Sequence, residues 1–387
     1  MASPMNVRRL LHDLSKEKIA DIQVLSGTML FGIGFLGQRV LFMEGMSIFY
    51  CNAARFFLSF ILLLLLFPLV PKKINERKDD QDEIALLFVR DDALVEEKQP
   101  WMKFIPCRDY KILIWSSILG TINFIASAVQ QDAVSNTTAG KVAFISGFSV
   151  ILVPVFQFFI LRHHTNSEIE NNKLISPVSK SLFPAPQTNS EPKEQINKAM
   201  IVAILMSVIG LYFMSGTNIH EIKPGLGELL SLTACVFWTF HIIYTDISTI
   251  HVDVFPMVML QFLIVAVLSF ITALIVERGK YSWDHLSLFF PWLLFLSTTE
   301  GLGFLLIALG QKHCSPTSVA LFTTLEGLFA SIAQYVFLNE KLSTNECMGA
   351  VLMITATYVS KNTAINLWLS KDRDSNFLGT PNKSSIK

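Results

Sequence analysis

Charge is scarce in this chain. Only 16% of its 387 residues are Asp, Glu, Lys or Arg, whereas ordinary soluble domains carry about 25% charged residues. The acidic and basic residues also balance to a net charge of zero. Because no excess of basic residues indicates a polyanionic partner, we expect no binding of nucleic acid.

Paired cysteines, metal-ligand spacings and enzyme motifs are missing as well. The five cysteines never form a CxxC pair, and the eight histidines show no metal-ligand spacing, so we predict no disulfide framework and no metal site. HExxH, GxSxG and Walker A patterns are absent. We therefore expect no cofactor and no enzyme activity. The N-terminus lacks a signal-peptide core and cleavage site, so the first spanning helix is expected to act as an uncleaved signal.

One cofactor-like pattern is present but stands in the wrong context. Residues 32–37 read GIGFLG and match GxGxxG. A dinucleotide site needs this pattern after a strand and at the start of an exposed helix. Here the glycines lie within an apolar run, where small residues allow helices to pack closely. We interpret them as packing residues.

Long hydrophobic runs are the main feature of the sequence. Hydrophobic residues make up 51% of the chain, and several runs exceed the roughly 20 residues that cross a bilayer as a helix. The sequence therefore predicts an all-α polytopic membrane protein with the lipid bilayer as a partner. We expect ten transmembrane helices, at residues 22–42, 47–70, 112–129, 138–161, 199–215, 226–244, 254–276, 288–309, 317–338 and 347–369.

The distribution of Lys and Arg predicts the orientation. With both termini cytoplasmic, the inner segments hold 24 of the 31 basic residues and the outer segments hold six. Cytoplasmic loops carry such an excess, so we predict cytoplasmic termini in a plasma or bacterial inner membrane. The oligomeric state is left open, with a homodimer as one alternative.

Weak internal similarity divides the chain into two halves. Identical residues recur at offsets of 177 and 180, for example Gln157 with Gln334, and Gln131 with Gln311. Five spans per half give the halves opposite orientations, which is the inverted-repeat architecture of transporters with a central cavity. The predicted segments are a tail (1–21), the first repeat (22–161, with a cytoplasmic insert at 71–111), a linker (162–198), its fifth span (199–215), the second repeat (226–369) and a C-terminal tail (370–387).

Two acidic residues lie inside predicted spans. Glu326 is the tenth residue of the 22-residue span 317–338, and Glu300 belongs to the preceding span. Both are thirteen residues from His313 in the connecting turn, so antiparallel helices would hold them at one depth. If both face one cavity, repulsion and burial would keep at least one protonated near neutrality. Intramembrane acids are functional candidates, although hydrogen-bonded structural acids are the alternative.

Other polar residues of the spans are candidates for a cargo pathway. Arg55 lies nine residues into its span and could counter one of the acids, hold an anionic cargo group or bond backbone carbonyls. Amide and imidazole groups can bind polar cargo but also join helices, and an indole ring can stack on planar cargo. The remaining candidates are Gln131, Gln311, Asn123, His241, Gln261 and Trp238.

These features together resemble the drug/metabolite transporter superfamily, specifically its ten-span EamA-like branch. The segments that carry the likeness are FGIGFLGQRVLFMEGMSIFYCNAARF and ASAVQQDAVSNTTAGKVAFISGFSVILVPVFQFFILR in the first half. In the second half they are GELLSLTACVFWTFHIIYTDIS, ALGQKHCSPTSVALFTTLEGLF and FLNEKLS. The resemblance implies two inverted five-helix bundles around a central cavity, and secondary transport, often export, of a small polar metabolite.

The sequence departs from that family at two glutamate positions. The ninth span of the family often reads Glu-Pro, but Gly327 follows Glu326 here, so we expect a less bent helix. An acid at the position of Glu300 is not typical. We predict a transporter that is proton-coupled through Glu326 and Glu300, with small-molecule cargo and protons as partners. A polytopic receptor or scaffold that does not transport is the second hypothesis, and a membrane enzyme is the third.

Overall fold

The protein is described by a computed structural model that covers residues 4–69, 110–136, 142, 145–170, 198–214, 225–278, 286–338 and 343–360. Within these ranges the regular elements are helices. They are α1 (Pro4–Met43), α2 (Ile48–Leu66, followed by a 3₁₀ turn at Phe67–Leu69), α3 (Tyr110–Asn136), α4 (Ser149–Glu170), α5 (Lys198–Met214), α6 (Leu226–His251), α7 (Val254–Val276), α8 (Leu286–Gly310), α9 (Pro316–Thr323), α10 (Glu326–Leu338) and α11 (344–360).

The prediction of an all-helical protein with many spans is confirmed in part. Seven helical segments among the described residues are long and apolar enough to cross a membrane, and α9 together with α10 forms one of them. The segments Ser149–Phe159 and Met200–Phe213 are apolar but shorter. The count of ten spans stays a prediction.

Two helices extend beyond the predicted spans. Helix α1 begins at Pro4, so most of the predicted tail 1–21 is helical, and α4 runs to Glu170 into the predicted linker. Both extensions contain charged residues, so a hydropathy criterion excludes them from the spans. A helix that continues beyond the membrane can contain such residues. Most of the insert at 71–111, most of the linker and the tail at 370–387 lie outside the described residues.

The ninth predicted span is interrupted just before Glu326. The turn at Thr324 and Leu325 separates α9 from α10, so this span is not one continuous helix, and the expectation of a smaller bend stays a prediction. The hydroxyl of Thr324 donates to the carbonyl of Leu321 at 2.7 Å, and the N–H of Leu325 bonds the carbonyl of Phe322, three residues back. Side-chain bonds of this kind compete with the α-helical pattern, so no proline is required for the break.

The fourth predicted span contains a comparable turn. Residues Gly147 and Phe148 form it, and α4 begins at Ser149. The N–H of Phe148 bonds the carbonyl of Ile145, again three residues back. The two turns lie 177 residues apart, which is one of the offsets of the sequence repeat.

Glycines of α1 lie at close helix contacts. A Cβ atom on Gly27 would lie 2.7 Å from the carbonyl oxygen of Gly303 on α8. A Cβ atom on Gly32 would lie 2.5 Å from Cβ of Phe329 on α10. The GxGxxG segment is therefore a helix-packing surface, as the sequence predicted.

Helices from the two halves of the chain interleave. α1 packs against α8 and α10, α6 packs against α3 and α4, and α2 packs against α7. α3 also contacts α7, and α8 contacts α2. Gly210 of α5 lies against Gly349 and Met353 of α11, so every described helix of the first half contacts the second half.

Large apolar side chains cover the outer surface of the bundle. Leu65 of α2 and Phe337 of α10 are 69% and 67% exposed, and similar residues occur on every long helix. Such an exposed apolar surface marks an interaction with another apolar phase, and a bilayer provides it.

Candidate functional site

An ion pair joins Arg55 of α2 to Glu300 of α8. The Nη1 atom of Arg55 lies 2.5 Å from Oε1 of Glu300, and the two side chains are 4% and 14% exposed. One turn along α2, the hydroxyl of Ser59 donates to the carbonyl of Ser297 at 2.8 Å, and Gly301 lies against Ser59. These small residues let the two helices approach closely enough for the pair to form. Of the roles open to Arg55, the structure shows the one of countering an acid.

Glu326 stands at the first turn of α10, directly after the helix break. Free N–H groups and the positive end of the helix dipole favour a carboxylate at this position. Glu326 is half-buried and close enough to Glu300 for repulsion when both acids are ionised. The two acids that the sequence predicted at one depth are therefore within electrostatic reach of each other.

A buried amide pair lies beside the ion pair. Gln131 of α3 donates from Nε2 to Oδ1 of Asn52 at 2.8 Å, and both residues are buried. Asn52 precedes Arg55 by three residues and therefore shares its face of α2. The sequence analysis missed Asn52, although this spacing within an apolar run was a signal that could have indicated it.

A second polar group connects α3, α6 and α7. Nε2 of Gln261 lies 3.0 Å from Nε2 of His241, and because an amide NH₂ group only donates, the imidazole accepts. Trp238 donates from Nε1 to Oε1 of Gln130 at 2.9 Å. Gln130 in turn contacts Ser146, next to the turn at Gly147. Three of the predicted site residues thus lie in one region of the bundle.

Aromatic rings fill the space between the two polar groups. Phe304 lies one turn after Glu300 on α8, and its ring contacts four other rings at centroid distances of 4.7 to 6.3 Å. His241 packs edge-on against it at 5.7 Å. We call the five rings the aromatic cluster: Phe31, Phe56, Trp238, Phe262 and Phe304.

The two remaining candidates are Gln311 and Asn123. Gln311 donates from Nε2 to the carbonyl of Ile242 at 3.0 Å, so it connects the end of α8 to α6. Asn123 of α3 is fully buried, and neither its Nδ2 nor its Oδ1 has a hydrogen-bond partner within the described part of the chain. The sequence did not separate these two from the central residues because all of them are amides in apolar runs.

Glu277 was not predicted to have a role. This buried residue follows α7 and accepts hydrogen bonds from the N–H groups of Phe49 and Tyr50, both at 3.1 Å. Its carboxylate thus caps the N-terminus of α2. From sequence alone, an acidic residue at the end of a predicted span is assigned to a loop. Only the tertiary contact shows that Glu277 caps α2.

Metal ligands are not gathered within the described ranges. No group of three or more His, Cys, Asp or Glu side chains there could hold a metal ion.

The exposed apolar helices and the polar residues buried between them define an integral multi-pass membrane protein. Residues 225–361 match the sequence profile of the EamA-like transporter family. This segment is therefore similar to an EamA domain, a family of the drug/metabolite transporter superfamily, in agreement with the resemblance found in the sequence. Members of this family are transporters and not enzymes.

A likeness in fold extends beyond the matched domain. A solved structure titled "Crystal structure of protein" is similar over 90% of this chain and 98% of its own, with a TM-score of 0.60 and 13% sequence identity. At this identity the likeness concerns the fold alone. A search of curated proteins finds no match.

Proposed function

We propose that this protein is a secondary active transporter that exports a small polar metabolite by alternating access. The observation that carries the proposal is the ion pair of Arg55 and Glu300 with Glu326 beside it, inside helices that face lipid elsewhere. Charged groups in a membrane are costly and mark substrate or ion pathways. The direction of transport rests on the resemblance to the EamA-like branch.

The proposed architecture has ten spans in two inverted repeats. The contacts support it, because exchanging α1 to α3 with α6 to α8 converts the α1–α8 contact into the α6–α3 contact and leaves the α2–α7 contact unchanged. The turns before Ser149 and Glu326, 177 residues apart, agree with the same exchange. A pseudo-two-fold axis of this kind supports rocking of one bundle against the other.

Proton coupling is assigned to Glu326. Glu300 already has a cationic partner, whereas Glu326 forms no ion pair with any described residue. A carboxylate without a cation is costly inside the membrane, so it binds a proton unless water or cargo compensates its charge. Alternating access would change that compensation and couple proton release to cargo movement.

Transport in proteoliposomes tests this function. The purified protein is reconstituted and offered a panel of amino acids, polyamines, organic cations, sugars and nucleotide sugars, with and without a pH gradient. We expect one class to accumulate faster under the gradient in the wild type. Glu326→Gln should lose the response to the gradient, whereas Glu44→Gln, which alters an exposed carboxylate, should keep it.

Two outcomes would contradict the proposal. A wild-type protein that moves none of the panel would favour the receptor or scaffold hypothesis. Transport that responds to the gradient equally in Glu326→Gln and the wild type would remove Glu326 from the coupling mechanism.

A further inference from the structure

The charges at the centre of the bundle are unequal. Arg55 and Glu300 cancel each other, and Glu326 adds a second carboxylate with no cationic partner among the described residues. The ionised site therefore has a net charge of about −1. In a medium of low dielectric constant, such a site attracts a cation and repels an anion.

Buried acceptors next to the ion pair lack donors. Oε2 of Glu300 and Oε1 of Gln131 are both buried without a hydrogen-bond partner in the described part of the protein, and Gln131 as a whole is 4% exposed. A buried acceptor without a donor is costly, so these atoms indicate a ligand with N–H groups. Nε of Arg55 and Nδ2 of Asn52 are unpartnered donors, which a hydroxyl or carbonyl of the same ligand would satisfy.

The aromatic rings of the site already hold one cation. Cζ of Arg55 lies 4.8 Å from the centroid of the Phe56 ring, which is a cation–π distance. Arg55 is thus held by a carboxylate and a ring together. Phe56 belongs to the aromatic cluster, so the same surface that holds this cation continues to Phe304.

The other end of the aromatic cluster leads to Glu326. The ring of Phe31 packs against that of Phe304 at 4.7 Å. Gly32, the next residue, lies against the backbone of Glu326 itself. The helix turn that carries the Phe31 ring therefore lies against the first turn of α10, where Glu326 has no cationic partner among the described residues.

Resting on the proposed function, we infer that the cargo is a small organic cation, with its ammonium group at Glu326 and its apolar body on the Phe31 and Phe304 rings. Phe304→Leu keeps an apolar side chain but removes the ring face. Glu326 thus selects for charge, and the aromatic cluster selects for a body that can pack on rings.

A matched set of ligands tests this assignment. Phenethylammonium, 2-phenylethanol and phenylacetate share a phenyl body and differ in charge. Binding to the purified protein is measured by ligand-induced thermal shift and by Trp fluorescence. We expect phenethylammonium to bind the wild type at least about tenfold more tightly than phenylacetate, as expected for a charge-assisted contact. Glu326→Gln should weaken phenethylammonium binding by about tenfold or more, and Phe304→Leu by about threefold to tenfold.

The controls separate a local loss from misfolding. Glu44→Gln should bind phenethylammonium like the wild type. The melting temperatures of Glu326→Gln and Phe304→Leu without ligand show whether each variant is folded. Phe304→Tyr, which keeps an aromatic ring, should retain most of the phenethylammonium binding.

The outcomes also separate this inference from the proposed function. Preferential binding of phenylacetate, or equal binding of phenethylammonium to wild type and Glu326→Gln, would overturn the cationic cargo. If the same preparation still moves an anionic or neutral metabolite in proteoliposomes, the transporter proposal stands and only the cargo class fails. Movement of no probe and no metabolite would contradict both.

Discussion

The two carboxylates of the site have different surroundings at the scale of single residues. Glu300 shares its charge with Arg55 at 2.5 Å, whereas Glu326 has the N-terminus of a helix and a repelling neighbour. Removing one partner of a buried ion pair leaves an uncompensated charge, while removing an unpaired acid does not. Substitution by glutamine should therefore lower the free energy of unfolding at Glu300 but not at Glu326.

Glu300→Gln is expected to destabilise the protein by about 3 kcal/mol, because it strands the Arg55 guanidinium among apolar side chains. Glu326→Gln should change the stability little, because neutral glutamine resembles the protonated carboxyl group that the coupling proposal assigns to Glu326. Chemical denaturation in detergent measures both. The double variant Arg55→Met with Glu300→Gln serves as the internal check and should recover part of the lost stability. A larger loss in Glu326→Gln than in Glu300→Gln would contradict this assignment of partners.

At the scale of helices, the start of α10 is held by α1 on one side and faces open space on the other. Gly32 lies where a Cβ atom would approach Phe329 and the Glu326 carbonyl within 2.7 Å, whereas a Cβ atom on Gly327 would meet nothing within 4 Å. The contact between α1 and α10 thus requires glycine on one helix and tolerates a side chain on the other.

Gly32→Ala should lower the free energy of unfolding by about 1–3 kcal/mol, since the added methyl group forces two helices apart. Gly327→Ala should raise it by about 0.5–1 kcal/mol, because alanine favours the helix and has room. Thermal or denaturant unfolding of the two variants in the same detergent measures the difference. Equal effects of the two substitutions would mean that α1 and α10 do not pack as described.

At the scale of the whole molecule, Glu277 connects the second half of the chain to the first. Its carboxylate accepts two backbone hydrogen bonds at the start of α2. This contact joins the C-terminal end of α7 to the N-terminal end of α2, the two helices that the proposed axis relates. The cap therefore holds the halves together at one end of the bundle.

Glu277→Ala is expected to destabilise the fold by about 1–2 kcal/mol through loss of this cap, and Glu277→Gln, which retains one acceptor, by less. The midpoint of unfolding by denaturant is the measurement. Glu44→Gln provides the comparison with an exposed acid. If both Glu277 variants unfold like the wild type, the cap contributes nothing to holding the halves together.

The predicted topology puts Cys347 on the side of the membrane opposite to both termini. Cys347 is exposed, whereas Cys51, Cys235 and Cys314 are buried. A membrane-impermeant maleimide added to intact cells should therefore label this protein. The Cys347→Ser variant should not be labelled under the same conditions. Labelling that appears only after the membrane is permeabilised would reverse the orientation predicted from the basic residues.

The amino-acid sequence determined the helical membrane class and the approximate positions of most helices. These properties follow from hydrophobic length and from spacing along a helix, which are local. The packing role of the GxGxxG glycines was also predicted correctly, since an apolar context excludes a phosphate site.

Only the tertiary structure decided which polar residues meet. Arg55 and Glu300 are 245 residues apart, and the partners of Asn52 and Glu277 lie equally beyond any local pattern. The interruption before Glu326 escaped prediction because hydroxyl bonds to the backbone, and not a proline, produce it. Hydrophobicity specifies that a segment is buried in the membrane, whereas the choice of neighbour depends on how complete helices pack against one another.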